Sequence, residues 1–305
     1  MKSVQDKLPQ ATNPSPKSYQ QLYQEIVSDT EVAAFIKKEG LTQKEITLSI
    51  SKFLEYISQR DLFVKQDEAY IAKGYQPVLV MNEGYADVSY LETEELVEYR
   101  RLEAIKNRIQ LINMPASLKN VTVADIDKND ENRVEVMLAI TDFVKRFEEK
   151  PKGLYIYGNF GIGKSYLMAY LANLLSKTHL QSTTMLHYPT FVVDIKNAIK
   201  DGSVKERIDE IKLAQVLVLD DIGAEQHSPW VRDDILQVIL QYRMQENLPT
   251  FFTSNFSFDD LERHFASGKS GDETWQAKRV MERIRYLARD LHLKGNNRRS
   301  MKRLI

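Results

Sequence analysis

A phosphate-binding loop in the middle of the chain sets the strongest limit on its fold. Residues Gly158–Ser165 read Gly-Asn-Phe-Gly-Ile-Gly-Lys-Ser, which fits the pattern G-x-x-x-x-G-K-[ST] without a mismatch. The apolar run Leu154–Tyr157 precedes the loop as a strand, and a helical pattern over Lys164–Ser176 follows it. In such a loop, backbone N–H groups surround phosphates at the positive end of the following helix. The sequence therefore predicts a nucleotide-binding α/β domain.

The residues of this loop have separate expected roles. Lys164 would reach the β- and γ-phosphates, and the Ser165 hydroxyl would ligate Mg²⁺. The predicted nucleotide contacts of the loop are Gly158, Asn159, Phe160, Gly161, Ile162, Gly163, Lys164, Ser165 and Tyr166. The alternative is a glycine-rich turn that binds nothing, but the strand before the loop and the helix after it favour nucleotide.

A second apolar strand, Val216–Leu219, ends in two carboxylates. Because the carboxyl ends of parallel strands meet at one edge of a sheet, Asp220 is expected to hold the water shell of the metal. Asp221 is placed to orient or deprotonate the attacking water. Hydrophobic strands often end at an aspartate, so the position of this strand after a phosphate loop is what makes it informative.

A third strand, Thr250–Thr253, runs into Ser254 and Asn255. A polar side chain ending the strand beside the acidic one would sense the γ-phosphate and position water, which predicts a catalytic role for Asn255. Taken alone, Thr-Ser-Asn is also an ordinary strand end with turn residues.

Helices and short apolar strands alternate through the second half of the chain. The predicted helices are Arg133–Phe147, Lys164–Ser176, Phe191–Lys200, Val204–Lys212 and Trp230–Gln245, and the predicted strands are Leu154–Tyr157, Thr183–His187, Val216–Leu219 and Thr250–Thr253. This alternation indicates a parallel sheet with helices on both faces.

The first third of the chain has a different pattern. Asp29 and Gly40 bound a short predicted helix, and Thr42 with Glu45 forms a capping-box signal for a second one. The apolar stripes of these helices are Val32, Phe35 and Ile36 in the first, and Ile46, Ile50, Phe53, Leu54 and Ile57 in the second. Gln76–Tyr90 then predicts a β-hairpin. Each stripe is expected either to pack internally or to dock on a partner.

A charged helix is expected from Glu94 to about Ile112, and Pro115 breaks its pattern. We place the domain boundary there. The expected domains are a smaller, mostly helical N-terminal domain of residues 1–113, whose polar residues 1–18 are expected to be disordered, and an ATPase domain of residues 114–305.

Composition excludes several kinds of chemistry. The chain has no cysteine, which excludes disulfides, cysteine-ligated zinc, iron–sulfur clusters and thiol catalysis. Its five histidines are scattered, so a histidine metal site is not expected. No apolar run reaches the length of a membrane helix, and the N-terminus lacks the pattern of a secretory signal, so we expect a cytoplasmic protein.

The net charge of −1 hides a basic C-terminal segment. Residues 276–305 contain ten basic and two acidic residues, so they carry +8 and the rest of the chain carries −9. This segment is either a solvated basic tail or a group of cations that meets phosphate.

Four further stretches extend these motifs: Asp220–Glu225, Trp230–Asp233, Phe252–Phe256 and Arg279–Ile284. With them, the chain resembles ATPases of the AAA+ class, and within that class the DnaI/DnaC family of bacterial replicative-helicase loaders. The resemblance is specific from about Pro115 to Arg299 and looser over the first 110 residues. It implies an AAA+ domain that binds ATP, and an N-terminal domain that binds the replicative helicase.

The resemblance also assigns arginines. In the family, nucleotide lies between neighbouring subunits and an arginine of one subunit reaches the γ-phosphate held by the next. Arg283 matches that position, and Arg279 lies one turn earlier on the same face. Arg298 matches the arginine that senses nucleotide within its own subunit. Each of these residues is otherwise a surface arginine on a basic helix or tail.

Two departures from the family pattern change the expectations. Relatives often carry a zinc-binding cysteine cluster in the N-terminal domain, and this chain has no cysteine, so no zinc is expected. Most AAA+ ATPases have glutamate where this chain has Asp221. A side chain one methylene shorter holds water less well, so we expect slow hydrolysis, suited to a switch.

The expected function is ATP-dependent loading of the hexameric replicative helicase onto single-stranded DNA during primosome assembly, at replication initiation or restart. The alternatives are a transposition-helper ATPase and an ATP-gated adaptor with negligible hydrolysis; a small-molecule kinase is disfavoured because no acceptor-binding lid is found. Direct contact with single-stranded DNA is expected through five cations, although acids lie among them: Lys196, Lys200, Lys205, Arg207 and Lys212.

Overall fold

The computed structural model describes residues 19–126, 131–226, 228–268 and 271–298. Two compact units divide the chain between Arg101 and Leu102. The disorder expected for residues 1–18 lies outside the described residues. Across the described residues, no helix has the length and apolar character needed to cross a membrane.

Among its described residues, the first unit contains three helices, a hairpin and the first part of a fourth helix. The three helices and the two strands of the hairpin are α1 (Tyr19–Val27), α2 (Thr30–Glu39), α3 (Gln43–Val64), β1 (Tyr75–Asn82) and β2 (Tyr85–Glu92), with β1 and β2 antiparallel. The predicted helix signals are confirmed. Asp29 accepts hydrogen bonds from two amides of the first turn of α2, Gly40 ends that helix at φ 67°, and Thr42 and Glu45 form the capping box of α3.

The apolar stripes of the first two predicted helices pack inside this unit. Its core consists of Ile26, Val32, Ile46, Phe53, Tyr56 and Ala86. Phe35 and Ile36 pack against this core beside Val32. The prediction that Leu54 lies on the apolar face is wrong, since 42% of Leu54 is exposed. It follows Phe53 directly, and one residue turns a helix by about 100°, which carries Leu54 away from the core.

The charged helix is shorter than predicted. α4 spans Glu94–Asn107, and the residues after it form a strand, β3 (Ile109–Ile112), parallel to β5 (Thr183–His187). The prediction of helix up to Ile112 is therefore wrong: Ile109 is fully buried and pairing with β5 overrides the helical pattern. Because β3 belongs to the sheet of the second unit, the units divide before the boundary expected at residue 113, and Pro115 follows an edge strand.

The second unit is built on a six-stranded parallel sheet in the order β10-β4-β7-β6-β5-β3. Its remaining strands are β4 (Gly153–Tyr157), β6 (Val216–Ile222), β7 (Thr250–Ser254) and β10 (Ala288–His292), and the two-residue strands β8 (Ser267–Gly268) and β9 (Gly271–Asp272) pair separately. The helices are α5 (Glu131–Lys145), α6 (Lys164–His179), α7 (Tyr188–Ala198), α8 (Val204–Lys212), α9 (Gln237–Gln245), α10 (Phe258–Ala266) and α11 (Thr274–Leu287). The predicted parallel α/β fold is confirmed.

Alternate side chains of the strands enter two separate cores, one on each face of the sheet. In β6, Leu217 and Leu219 face the layer of α7, α8, α9 and α11, whereas Val216 and Val218 face the layer of α5 and α6. This period of two explains why a strand buried on both faces reads as a continuous apolar run.

Two other parts of the second unit differ from the predictions. The helix predicted from Trp230 to Gln245 begins with a π-helical segment, Val231–Leu236, and continues without a break as α9. The strand β10 was not predicted: it lies in the basic C-terminal segment and pairs with β4 at the edge of the sheet.

Candidate nucleotide-binding site

The phosphate loop joins β4 to α6 and depends on its glycines. Gly158 has φ 150° and Gly161 has φ 73°. A Cβ atom on Gly158 would lie 2.1 Å from the carbonyl oxygen of Leu293, which is backbone and cannot move aside. The segment after β10 therefore packs directly on the loop, and the loop can pass beneath it only with glycine at this position.

Lys164 lies at the centre of this loop with only 7% of its surface exposed. Its Nζ donates hydrogen bonds to the carbonyl oxygens of Gly158 (2.8 Å) and Asn159 (2.9 Å) and to Oδ1 of Asn255 (2.7 Å). These bonds hold the ammonium group against the loop and the end of β7. A cation there can bind the phosphates of a nucleotide.

Asp220 ends the apolar part of β6 beside the first turn of α6. Its Oδ2 accepts a hydrogen bond of 2.9 Å from Ser165 Oγ, and its Oδ1 accepts one of 2.6 Å from Thr253 Oγ1. Burial raises the pKa of Asp220, and these two hydrogen bonds oppose the rise. The adjacent hydroxyl and carboxylate oxygens fit Mg²⁺, which takes few protein ligands and keeps water and phosphate oxygens for the rest.

Asp221 and Asn255 lie next to this pair. Asp221 has φ 60°, and its N–H donates to Thr253 Oγ1 at 2.9 Å. Its Oδ1 accepts a hydrogen bond of 2.9 Å from Asn255 Nδ2. The structure therefore brings together the ends of β4, β6 and β7 that the sequence predicted would meet, and Asn255 bridges Lys164 to Asp221.

A cleft of about 490 Å³ opens over these residues. Phe160, Gly161, Gly163, Tyr166 and Arg298 are among the predicted contacts that line it, together with Lys164, Ser165, Asp220, Asp221 and Asn255. Arg298 is held there by its backbone N–H, which donates to the carbonyl of Gly161 at 3.0 Å. Gly158, Asn159 and Ile162 are not among the lining residues, and the Ile162 side chain is buried in the core.

Sequence reasoning missed several residues of the cleft. Arg133 of α5 is buried and its guanidinium donates to the carbonyl of Ile162. His187 ends β5 opposite Asp220, and its Nδ1 lies 2.8 Å from Thr190 Oγ1. Asn113, Met114, Pro115, Leu118 and Asp125 line the other side. The sequence could have predicted His187, because its strand ends at the same sheet edge as Asp220. Nothing in the sequence around Arg133 indicates a place in the cleft.

Arg283 is not brought to this cleft. It lies on α11, where its Nε donates to Gln241 Oε1 (2.8 Å) and its Nη1 to the carbonyl of Arg279 (2.5 Å). Burial and the neighbouring charge of Arg279 lower the pKa of Arg283. Arg283 therefore lies on α11, which packs on the opposite face of the sheet from α6, the helix that follows the phosphate loop.

Glu225 is a buried carboxyl group in the turn after β6. Only 6% of it is exposed, and its Oε2 accepts a hydrogen bond of 2.7 Å from the N–H of Gly223. Burial raises the pKa of Glu225 to about 7. This group therefore titrates near neutral pH, next to the turn that carries Asp221.

Two family models together match almost the whole chain. Residues 1–90 match the family described as the N-terminus of primosomal protein DnaI, and residues 79–304 match the IstB-like ATP-binding proteins. The replicative helicase loader DnaI of Bacillus subtilis (strain 168) is 37% identical over 292 residues, which are 93% of this chain and 94% of that protein.

Two crystal structures are similar to about two thirds of the chain. A primosome component from Streptococcus pyogenes serotype M3 is 55% identical, with a TM-score of 0.55 over 64% of this chain and 97% of that one. A structure of DnaI is 43% identical, with a TM-score of 0.57 over 62% of this chain and 98% of that one. Since the identity to the Bacillus subtilis loader spans nearly the full length of both chains, the chain belongs to the DnaI family of replicative helicase loaders, built on an AAA+ ATP-binding domain.

Proposed function

We propose that this chain is an ATP-dependent loader that binds the hexameric replicative DNA helicase and places it on single-stranded DNA. It acts during primosome assembly, at replication initiation or restart, in the cytoplasm. The observation that carries the proposal is 37% identity to a replicative helicase loader over 93% of the chain. A transposition-helper ATPase shares the ATP-binding module, but residues 1–90 match the DnaI N-terminus and favour the loader.

The site residues divide the work on ATP. Lys164 binds the β- and γ-phosphates, and the loop amides between Gly158 and Lys164 bind the remaining phosphate oxygens. Ser165 and Asp220 would hold Mg²⁺, which would neutralise phosphate charge when bound. Arg298, at the edge of the same cleft, contacts the triphosphate from within the subunit.

Asp221 orients the water that attacks the γ-phosphate, and Asn255 keeps the Asp221 carboxylate in place through its Nδ2. A carboxylate one methylene shorter than glutamate reaches less far into the cleft. We therefore propose slow hydrolysis that works as a timed switch between helicase-bound and released states.

Assembly of several copies completes the site. Arg283 lies away from its own cleft and donates to the neutral amide oxygen of Gln241, which suits contact of this cation with the triphosphate held by a neighbouring copy. The first unit binds the helicase, since it has its own core and none of its described residues lines the nucleotide cleft.

Contact with DNA is proposed for α7 and α8. Of the five cations expected there, Lys196, Lys200 and Lys205 make no ion pair in the described structure. Lys212 differs, because it pairs with Asp209 at 2.5 Å and lies 5.4 Å from the ring of Tyr242. The DNA path therefore depends on the first three and Arg207.

The test is co-purification of the full chain with the replicative helicase of the same organism, with and without ATP. A stable complex that places helicase on a single-stranded DNA circle only when ATP is present supports the proposal. The matched variant is Lys164→Ala, which should still bind helicase and fail to load it. Absence of any complex, together with capture of a transposase, would replace the loader with the transposition helper.

A further inference from the structure

The helix that follows the acidic strand contacts α11 at two separate points. The first is Arg232 in the π-helical segment, a residue only 2% exposed. Its Nη1 lies 2.5 Å from Oε2 of Glu273, which immediately precedes α11, and also donates to the carbonyl of Phe265 at 2.9 Å. The start of α11 is thereby tied to the helix after β6.

This first contact is rigid. The other two nitrogens of Arg232 donate to the Asp233 carboxylate, Nε to Oδ1 at 2.9 Å and Nη2 to Oδ2 at 2.7 Å. A guanidinium bound in this two-point manner cannot rotate, and Glu273 is itself buried. Breaking a buried pair of this kind leaves an uncompensated charge, so α11 is held at one position relative to the helix beside it.

The second contact is Gln241 in α9, which touches Arg283 itself. Oε1 of Gln241 accepts the hydrogen bond from Nε of Arg283, and the Arg279 carbonyl accepts one from Nη1. Nη2 of Arg283 has no hydrogen bond within the described part of the chain. The guanidinium is therefore fixed on one side and open on the other.

The chemistry of this acceptor matters. A carboxamide oxygen orients a guanidinium without cancelling its charge, whereas a carboxylate at the same place would form an ion pair and compete with phosphate. Gln241 therefore preserves the full charge of Arg283 while it sets the direction of Nη2.

We propose that Gln241 is a positioning residue for Arg283, and that the Arg232–Glu273 ion pair fixes the helix on which Arg283 lies. Together they preset Arg283 for the triphosphate held by a neighbouring copy. The helix that carries Arg232 and Gln241 follows β6, the strand that contains Asp220 and Asp221, so it connects the acidic strand of one site to α11, which offers Arg283 to the next site. This inference rests on the proposed action of Arg283 between copies.

The test uses mixtures of full-length chains. Lys164→Ala copies cannot bind ATP but can offer Arg283, and Arg283→Ala copies bind ATP but cannot offer it, so hydrolysis in an equimolar mixture measures Arg283 acting between copies. Placing Gln241→Leu in the Lys164→Ala copies should lower this hydrolysis about tenfold. Gln237→Leu, the same change one turn earlier on α9, should leave it unchanged.

Gln241→Glu separates positioning from simple support of the fold. It should keep or raise the thermal unfolding temperature, because it pairs with Arg283, and still lower hydrolysis in the mixture. If Gln241→Leu copies support as much hydrolysis as the parent Lys164→Ala copies, the positioning role is overturned while the action of Arg283 stands. If the parent mixture hydrolyses no more ATP than its separate components, the action of Arg283 between copies fails, and this inference fails with it.

Discussion

Oδ1 of Asn255 lies 2.7 Å from Nζ of Lys164, so the side chain that ends β7 is bonded directly to the lysine of the phosphate loop. The same amide donates through Nδ2 to Asp221. We therefore expect that a movement of Lys164 is transmitted through Asn255 to the Asp221 carboxylate.

This bridge predicts separate effects on binding and hydrolysis. Asn255→Ala should change ATP affinity little, because the loop amides and Lys164 remain, and should lower the hydrolysis rate about tenfold or more because Asp221 loses its anchor. Asn255→Asp should also be slow, since it keeps an acceptor for Lys164 but places a second negative charge beside Asp221. Titration with a fluorescent ATP analogue and steady-state hydrolysis measure the two effects; Asn197→Ala, at an exposed position, is the control. A parallel loss of affinity and rate would contradict the separation.

Loss of the loop lysine should abolish nucleotide binding. In Lys164→Ala the cation at the centre of the loop is removed, and the remaining amides offer only partial charges to the phosphates. Binding of a fluorescent ATP analogue should fall to background, whereas Lys177→Ala, in the exposed last turn of α6, should bind as the parent does. Unchanged affinity in Lys164→Ala would remove the loop from nucleotide binding.

One buried hydroxyl should stabilise the first unit. Ser49 Oγ accepts a hydrogen bond of 2.8 Å from the N–H of Ala86 and donates one of 2.7 Å to the carbonyl of Glu45, which joins α3 to β2. Ser49→Ala leaves the buried amide of Ala86 without its partner, at a cost of about 1–3 kcal/mol in the free energy of unfolding. Urea denaturation of the chain measures it. Ser51→Ala, on the exposed side of α3, should be neutral, and equal stability of the two variants would show that the hydrogen bond contributes nothing.

Glu225 should make stability depend on pH in a defined direction. Burial raises its pKa from 4.5 to about 7, so between these values the unfolded chain has released a proton that the folded chain keeps. The stabilisation from the neutral carboxyl is complete below about pH 4.5 and is lost as the pH rises to about 7. Glu225→Gln should remove this loss.

The free energy of unfolding of Glu225→Gln, relative to the parent, should therefore rise by about 2–3 kcal/mol between pH 5 and pH 8. Glu246→Gln, at an exposed position, should show no such trend. A constant difference between Glu225→Gln and the parent across this range would mean that Glu225 ionises at its ordinary pH.

DNA contact through α7 should be electrostatic and independent of sequence. The double variant Lys196→Ala, Lys200→Ala should bind labelled oligothymidine more weakly in the presence of ATP. The slope of log affinity against log salt should become shallower by about 1.4, since about 0.7 of a counterion is released per phosphate contact with a single strand. Titrations at several salt concentrations measure both. Equal affinities for variant and parent would exclude α7 from the DNA path.

The central strands could be predicted because each is a short apolar run that ends in a polar group at the same sheet edge. The edge strands could not. Gln110 in β3 and Arg289 and Asp290 in β10 face solvent, and that mixture of polar and apolar residues is typical of helix or tail as much as of strand. Only pairing with β5 and β4, which are distant in sequence, settles their conformation.

The residues of the candidate site also fall into two groups, those that the sequence predicts and those that it does not. Lys164, Ser165, Asp220 and Asn255 lie in local motifs, and their proximity follows from parallel strands sharing an edge. Arg133 and Gln241 carry no local pattern, because each owes its position to packing between helices. The π-helical start of the helix after β6 contains Arg232, whose buried contacts are with residues distant in sequence.

The position of β4 between β7 and β10 has a consequence for synthesis of the chain. Both neighbours of the strand that leads into the phosphate loop are translated after it, and the loop also contacts the backbone of Leu293 and Arg298. A ribosome must therefore release nearly all of the second unit before the nucleotide site can close. The elements of the first unit follow one another from Tyr19 to Glu92, and they find all their core partners much earlier. A nascent chain thus presents a folded first unit to its surroundings before it is able to hold ATP.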